Sequence, residues 1–349
     1  MGDIIMSNNR KRVRKRRRRF SKRFVLLVFA VAVGIFAYYM INALAVGESG
    51  ENGNGDDEPL YVQHIDISML RMDFDDAALT YIFYYEHIEF DMSRHHIIDG
   101  DNLVNFVSHN PTQDSMRIST VAPVILFTEY SYATRNVYIT VTNPRHTYSR
   151  ILILDPGHGG SDEGATVGGI RESDIVLAIS LYLYDLFQNS DSGIKVYMTR
   201  SDDSFVHNAQ RALTANTVGD MLLSVHTNSY PYLTSVAGTE TLFSDYSAMY
   251  HQGNSGRYDI QNSTFSQIMQ DHLVAELSTR DRGLVERNDL LLINASSIPT
   301  AYVEIDFKTN PQALENLTNS AYQQRVAAAL YRGVVEAFVE AEAESGDAG

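Results

Sequence analysis

The sequence predicts an α/β domain with a mostly parallel sheet covered by helices on both faces, preceded by a small β-rich module and an N-terminal transmembrane helix. Three observations predict this architecture. A 23-residue stretch without charge follows a basic block, short strand patterns fill residues 59–150, and strand and helix patterns alternate from residue 151 onward. Such alternation favours a largely parallel sheet with helices on its two faces.

The composition indicates a folded chain of about two domains. The 349 residues are 44% hydrophobic and 20% charged, which is typical of globular proteins and excludes a disordered or fibrous chain. Cysteine is absent, so disulfides, thiolate metal sites and cysteine nucleophiles are excluded. Any metal site must therefore use histidine and carboxylate side chains.

Charge divides the chain at residue 46. The first 46 residues hold eleven bases and one acid, whereas the remainder holds 17 bases and 42 acids, a net charge of −25. So acidic a body argues against nucleic-acid binding, because phosphate contacts need clustered Lys and Arg. The run RKRRRR by itself would suit a nuclear-localisation or nucleic-acid patch, but the apolar stretch directly after it favours a membrane.

Residues 24–46 are predicted to form a transmembrane helix or signal anchor, because 23 uncharged residues at 1.5 Å each extend about 34 Å. The basic segment 1–23 is predicted to stay in the cytoplasm, which places the acidic body at the extracytoplasmic face of the cell membrane. Ala43 and Ala45 have the spacing of a cleavage site, so secretion after cleavage behind Ala45 is the alternative. Residues 47–58, rich in Gly and acids, are predicted to be a flexible linker.

Residues 59–150 are predicted to be a β-rich accessory module. The runs 121–130 and 136–141 are rich in Val, Ile, Thr and Tyr and are interrupted by Pro, Asn and Asp. The adjacent His95 and His96 would point to opposite faces of a strand, which favours surface or core histidines over a metal site. The residue pattern indicates no chemistry in this region.

Residues 151–343 form the predicted catalytic α/β domain. Apolar spacing predicts strands at 151–154, 195–198, 221–226, 238–243 and 301–305, and helices at 173–188, 204–218, 264–278 and 321–342. Ser173 is predicted to cap the first of these helices. Functional residues of such sheets gather beyond the carboxyl ends of the strands.

Two histidines and two glutamates occupy such positions. His158 follows the first strand in a Gly-rich turn, and His226 closes the strand 221–226. Glu172 lies in the loop that leads into the first helix, and Glu304 lies at the end of the strand 301–305. Two imidazoles and one carboxylate are a common ligand set for catalytic zinc, and a separate carboxylate can exchange protons with water and the leaving group.

Each of these residues also has a structural interpretation. His226 by itself is typical of a packed histidine near a strand end, and Glu172 of a solvated acid favoured by the helix dipole. Glu304 lies between apolar neighbours, where an unpaired carboxylate is costly and usually has a functional reason. Asp162 and Glu163 are further candidate cation ligands, although acids in a Gly-rich turn commonly cap the backbone or are solvated.

Taken together and in order, the motifs resemble those of a known family. From residue 151 to about 330 the chain resembles the zinc-dependent N-acetylmuramoyl-L-alanine amidases, the catalytic domains of cell-wall autolysins and septum-splitting enzymes. The matching segments are LDPGHGGSDEGA with His158, then Glu172, Thr199-Arg200, Arg211, Asn216, SVHTN with His226, GTET, and VEIDFKTN with Glu304.

The resemblance implies the chemistry residue by residue. His158, Glu172 and His226 would hold Zn2+, and Glu304 would be the catalytic general base and acid. The reaction would be hydrolysis, by zinc-activated water, of the amide between N-acetylmuramic acid and L-Ala of the peptidoglycan stem peptide. Peptidoglycan would be the main partner, and the resemblance leaves open whether a protein activator acts on the enzyme.

Two departures from the family pattern accompany the match. Asp306 replaces a small residue and, two positions from Glu304 in a strand, is expected on the same face, where it would raise the proton affinity of Glu304. Residues 245–261 form a polar insertion, interpreted as a surface loop with a peptide-groove wall or regulatory cover as alternatives.

Two other functions stay open: a zinc hydrolase that cleaves another wall bond, and an inactive wall-binding scaffold.

Overall fold

In the computed structural model, the described residues are 70–75, 79–85, 92–110, 112, 115–131, 136–245, 257–258 and 260–346. The predicted basic segment, membrane span and linker (1–58) lie outside these residues. Within the described ranges, no helix is both long and apolar enough to cross a membrane.

Seven short strands form two small sheets between residues 70 and 142. They are β1 (Leu70–Asp75), β2 (Thr80–Tyr85), β3 (His95–Asp99), β4 (Val104–Asn110), β5 (Ser115–Thr120), β6 (Ile125–Ser131) and β7 (Asn136–Thr142). One sheet has the order β1-β2-β5-β4 and the other β3-β7-β6. Both sheets contribute to one apolar cluster, in which Phe83, Ile118 and Ile139 are almost fully buried. His96 stacks on Tyr138, with ring centroids 5.1 Å apart.

A six-stranded sheet follows in the chain. Its strands are β8 (Ile151–Pro156), β11 (Lys195–Met198), β12 (Met221–Asn228), β13 (Thr239–Phe243), β14 (Asp281–Glu286) and β15 (Thr300–Phe307). The order is β11-β8-β12-β15-β13-β14, and every neighbouring pair is parallel except β13 and β15. A short ribbon of β9 (Thr166–Val167) and β10 (Ile170–Arg171) stands beside it. Four of the five pairings are parallel, so the sheet is mostly parallel as predicted, and the single antiparallel pairing makes it a mixed sheet.

Helices cover both faces of this sheet. They are α1 (Glu172–Gln188), α2 (Asn208–Val218), α3 (Asn262–Leu277), α4 (Leu291–Ala295), α5 (Pro311–Leu317) and α6 (Ser320–Gly346). On one face, α1, α3 and α6 bury apolar side chains such as Val176, Phe265 and Phe338. On the other face, α2 and α4 pack with Ala122 of the β-rich region in a second cluster.

All four predicted helices start one to four residues away from their predicted positions, and two of these differences concern the residue that caps the helix. Helix α1 begins at Glu172 after the N-cap Arg171, so Ser173 lies inside the helix and does not cap it. Helix α2 begins at Asn208, four residues later than predicted, because the Nδ1 atom of His207 caps it by accepting the Ala209 N–H at 3.2 Å. Strand β12 continues to Asn228, so His226 lies within the strand.

Because β8, β12 and β15 are parallel, their carboxyl ends meet at one edge of the sheet, the carboxyl edge, and their first residues meet at the opposite, amino edge. Strand β13 runs the other way, so it starts at the carboxyl edge and ends at the amino edge. The insertion 245–261 therefore leaves β13 from the amino edge. Its described Arg257 bonds Asp220 there at 2.9 and 2.6 Å, while residues 246–256 lie outside the described ranges.

Candidate active site and metal centre

Three of the predicted site residues lie together at the carboxyl edge. His158, Glu172 and His226 each offer a ligand atom, and these atoms lie within 4.8 Å of one another. The Oε1 atom of Glu172 is 3.3 Å from His158 Nε2 and 3.1 Å from His226 Nδ1. The three residues come from the turn after β8, the first turn of α1 and the last part of β12, so the fold joins positions that are far apart in sequence.

Glycines make room for this cluster. A Cβ atom on Gly157 would lie 2.0 Å from His226 Cε1, and one on Gly164 would lie 2.7 Å from His158 Cδ2. Gly164 also has a φ of +66°, and His158 itself has a φ of +61°, a left-handed conformation that is uncommon for a residue with a side chain. The Gly-rich motif is therefore needed for the turn and for the close approach of the two imidazoles.

Two buried arginines hold the His158 turn in place. Arg200 donates to the carbonyls of Pro156 at 3.0 Å and Gly157 at 2.7 Å. Arg211 donates to the His158 carbonyl at 2.6 Å and to the Asp155 carboxylate at 2.5 Å. Burial lowers the pKa of Arg200 to about 10, but the group stays charged at neutral pH. Sequence reasoning found these arginines only as motif residues and missed what they do.

Further contacts orient the three clustered side chains. Asp162 Oδ2 lies 2.9 Å from Nδ1 of His158, which leaves Nε2 directed at Glu172. The backbone N–H groups of Thr227 and Ala165 donate to the two carboxylate oxygens of Glu172. Asp162 therefore contacts a candidate ligand instead of joining the cluster. Glu163 also lies outside the three-residue cluster, and its carboxylate accepts from the Thr166 hydroxyl at 3.2 Å.

The cluster favours an ionised Glu172. Burial by itself would raise the pKa of this carboxyl, but the hydrogen bonds with His158 and His226 and their charges hold the pKa well below its usual value. Burial lowers the pKa of His226, which favours the neutral imidazole. For His158, burial also works to lower the pKa, but Glu172 and Asp162 outweigh it and the net shift is upward.

Glu304 is a buried carboxylate of the opposite kind. It pairs in register with His226 on one side and with Glu240 on the other, so all three side chains project from the same face of the sheet. Its Oε2 atom is buried and has no hydrogen-bond partner. Burial first, and then the negative charges of Glu172 and Glu240, raise the pKa of Glu304 well above its usual value. The carboxylate is therefore poised to take up a proton.

Asp306 does not have the role expected for it. The pairing of β12 with β15 shifts between His226 and Asn228, which interrupts the alternation that would set Asp306 beside Glu304. Its Oδ1 atom accepts instead from the backbone N–H groups of Gly238 at 2.7 Å and Phe307 at 2.8 Å. Asp306 is not among the groups that raise the pKa of Glu304, and it fastens the start of β13.

Lys308 is a site-supporting residue that sequence reasoning missed. It is fully buried, and its Nζ atom donates to the carbonyl of Ala165, directly before β9, and to the carbonyl of Ile170 in β10. The only available sequence signal was a lysine directly after the apolar end of β15. A basic residue there is easily taken for a solvated one.

Comparison with known proteins is consistent with this geometry. A sequence profile described as N-acetylmuramoyl-L-alanine amidase matches residues 152–336, more than half of the chain. The N-acetylmuramoyl-L-alanine amidase CwlM of Bacillus licheniformis is 31% identical over 188 residues, which cover 54% of this chain and 68% of that protein. The chain belongs to the N-acetylmuramoyl-L-alanine amidase family.

Two other similarities cover the same part of the amidase. The uncharacterized protein YqiI of Bacillus subtilis is 35% identical over 187 residues, covering 53% of this chain and 83% of YqiI. The crystal structure of an N-acetylmuramoyl-L-alanine amidase from Clostridium difficile 630 aligns with 54% of this chain and 97% of that one, at 26% identity and a TM-score of 0.48. The family and enzyme class predicted from the motifs are confirmed, and the amidase is a peptidoglycan hydrolase.

Proposed function

We propose that this amidase cleaves the amide between the lactyl group of N-acetylmuramic acid and L-Ala of the stem peptide, using a zinc ion held by His158, Glu172 and His226. Glu304 acts as the general base and then as the general acid. The observation that carries the proposal is the buried, unpartnered Oε2 atom of Glu304 on the same sheet face as His226. A carboxylate kept without a partner at this position has a chemical use.

The side chains present fit a zinc ion. Two imidazoles and one carboxylate are the donor set of many catalytic zinc sites, and the three donor atoms already converge. The absence of side chains on Gly157 and Gly164 keeps the space between them free. Asp162 on the outer nitrogen of His158 is the carboxylate contact that commonly orients a ligand imidazole. Zinc bound there would supply Lewis-acid activation of the substrate carbonyl and of water.

The protein's own contribution is proton transfer and positioning. Glu304 Oε2 takes one proton from the attacking water and delivers it to the L-Ala nitrogen as the carbon–nitrogen bond breaks. The products are a free lactyl carboxylate and a peptide with a free amino terminus. Burial and the nearby acids raise the pKa of Glu304, which brings it closer to the working pH and favours transfer in both directions.

We also propose that the reaction takes place at the extracytoplasmic face of the membrane. This proposal is supported by the uncharged run 24–46, the basic residues before it and the acidic body after it. Protease digestion of intact cells with the wall removed should degrade the acidic body. A body that is protected until the membrane is opened would contradict the proposed orientation.

The decisive experiment joins metal content to product analysis. Full-length protein is assayed for zinc by mass spectrometry and for release of amino-terminal L-Ala from peptidoglycan. We expect one zinc per chain, L-Ala release, and a loss of release of about 10³-fold in Glu304→Gln with zinc retained.

Glu163→Gln is the matched control, because this carboxylate lies nearby but outside the cluster, and it should change neither quantity. Zinc without L-Ala release would contradict the proposed bond. Protein without zinc that still releases L-Ala would contradict the metal assignment.

A further inference from the structure

An uncharged aromatic loop borders the active site. Residues 229–237 have the sequence SYPYLTSVA and connect β12 with β13 at the carboxyl edge. The side chains of Tyr230, Tyr232 and Leu233 are 47%, 90% and 53% exposed. Within the described residues, nine large apolar side chains are at least 47% exposed, and three of them fall within positions 230–233. Exposed apolar groups gathered in this way commonly mark a binding surface.

One end of this loop is fastened to the turn that follows β15 and the other end to β15 itself, in both cases beyond Glu304. The Tyr230 N–H donates to the Thr309 hydroxyl at 2.9 Å, and the Gly238 N–H donates to Asp306 at 2.7 Å. The rings of Tyr230 and Tyr232 contact each other edge to face, with centroids 6.2 Å apart. Both ends of the loop are therefore anchored close to the catalytic carboxylate.

The surroundings of Glu304 on β13 and β14 have a different character. Glu240 lies directly opposite Glu304 on β13, and Arg282 of β14 donates to it at 2.8 Å. The guanidinium of Arg282 also lies 4.8 Å from the centroid of the Phe307 ring. One border of the site is thus uncharged and aromatic, and the other carries both signs of charge.

The substrate of the proposed reaction has two arms with the same contrast. Its sugar chain carries no charge while the lactyl carboxyl is part of the amide, and its pyranose rings have apolar C–H faces. The stem peptide carries ionisable groups. The acidic body has a net charge of −25, so the uncharged sugar chain can approach the uncharged loop without a contribution from charge. Each tyrosine ring offers a rigid surface with an apolar face and a polar edge, against which a sugar ring can pack.

We propose that Tyr230, Tyr232 and Leu233 form a binding site for the glycan strand of peptidoglycan, with sugar rings lying against the tyrosine rings. The inference rests on the proposed function for the identity of the substrate. The glycan arm then leaves the site over residues 229–237, and the stem peptide leaves it past Glu240 and Arg282. The free lactyl carboxylate formed by cleavage adds negative charge beside an acidic body, which favours release of the glycan product.

Two measurements test the glycan site, and the first needs no catalysis. Binding of peptide-free glycan strands to the full-length protein should weaken about tenfold in Tyr232→Ala, the size of an aromatic contact of about 1.4 kcal/mol. Tyr232→Phe, which keeps the ring, should stay within twofold of wild type. Leu186→Ala is the matched control, because Leu186 is exposed and lies about 21 Å along α1 from Glu172.

The second measurement separates binding from chemistry. Tyr232→Ala should raise KM for polymeric peptidoglycan about tenfold and leave kcat unchanged, whereas its KM for a single N-acetylmuramoyl-peptide should change less than twofold. Equal strand binding by wild type and Tyr232→Ala would overturn the glycan site and favour a protein partner for this loop. Strand binding that depends on Tyr232 in a protein that releases no L-Ala would support the glycan site and refute the proposed reaction.

Discussion

Two carboxylates at opposite edges of one sheet are buried to a similar degree and held in opposite ways. At the amino edge, Asp220 is fully buried, accepts the Ile151 N–H at 2.8 Å and pairs with the guanidinium of Arg257. At the carboxyl edge, Glu304 is 9% exposed, has an oxygen without a partner and faces the acids Glu172 and Glu240. The negative charge of Asp220 is balanced by a guanidinium and a backbone N–H, whereas the negative charge of Glu304 has no such partner.

The difference separates the parts of the sheet that maintain the fold from those that carry out the reaction. A compensated buried charge resists removal, since its loss leaves partners unsatisfied. An uncompensated carboxylate costs stability and is retained for its proton chemistry. Substitutions at the two edges should therefore have effects of opposite kinds.

The largest stability effect is expected at the amino edge. Asp220→Ala leaves the Ile151 N–H without its acceptor and the Arg257 guanidinium without its carboxylate, with only backbone carbonyls as acceptors. The free energy of unfolding should therefore fall by about 3 kcal/mol. Activity per folded molecule should be unchanged, because Asp220 lies at the edge away from Glu304. Denaturant titration and L-Ala release check the two halves of the prediction.

A matched surface substitution controls for the loss of a charge. Glu336→Gln removes the carboxylate that pairs with His272 at 2.8 Å, in a side chain that is 58% exposed. It should cost no more than about 0.5 kcal/mol. Equal losses in Asp220→Ala and Glu336→Gln would remove the distinction drawn for the amino edge.

The next largest effect concerns the space around the ligands. In Gly164→Ala the new methyl group would lie within 3 Å of both His158 and Glu172, so zinc affinity should fall between about 10-fold and 100-fold, as for other disturbed ligand surroundings. Gly168→Ala is the control, because Gly168 has a similar φ of +59° but nothing within 4 Å of an added Cβ. Competition with a chelator measures the zinc affinity of both variants. An equal loss of zinc affinity in Gly164→Ala and Gly168→Ala would show that backbone strain, and not the crowding of the ligands, is responsible.

A smaller effect should appear in the pH dependence of stability. Burial raises the folded-state pKa of Glu304 above the ordinary value of 4.5. Metal-free protein should therefore lose stability as the pH rises above about 4.5 and through the folded-state pKa, because the unfolded chain ionises first. Glu304→Gln lacks this titration, so its advantage in Tm over wild type should grow with pH and then level off. An advantage that shrinks as the pH rises would contradict the shift.

The smallest expected effect distinguishes the neighbours of Glu304. Asp306→Asn should move the acidic limb of the pH–rate profile by less than about 0.3 units, because Asp306 bonds Gly238 and does not act on Glu304. Glu240→Gln should move the same limb to lower pH, because it removes a negative charge that raises the pKa of Glu304. The reverse pattern would restore the role first expected for Asp306.

The sequence was sufficient to predict strands and candidate ligands, but it did not define local geometry. Buried strands such as β8 and β12 are apolar runs that stand out from their surroundings, and the site motifs keep their order along the chain. The predicted start of α1 was wrong: the helix begins at Glu172 and not at Ser173, and this places the Glu172 carboxylate between the two histidines. N-cap preference reflects only hydrogen bonds at the end of the helix itself. It therefore does not show that Glu172 must lie in the first turn to reach the two histidines.

Other errors have the same origin. Asp306 would lie on the same face of the strand as Glu304 only if β15 were regular. The register shift that changes this cannot be recognised from the amino-acid sequence. Lys308 and the two buried arginines satisfy backbone carbonyls of the loops around the site. Carbonyls are present at every residue, so no residue pattern identifies the ones that need a donor.

The reversed direction of β13 has a practical consequence for protein engineering. Since the chain enters β13 beside Glu304 and leaves it at the amino edge, extra sequence placed after Phe243 starts on the side away from the substrate. The chain returns to the same place at Asn262, whose side chain donates to the Ser244 carbonyl at 2.7 Å. A fluorescent reporter or affinity tag inserted between residues 246 and 256 should therefore leave cleavage of peptidoglycan intact, which would allow the enzyme to be followed in growing cells.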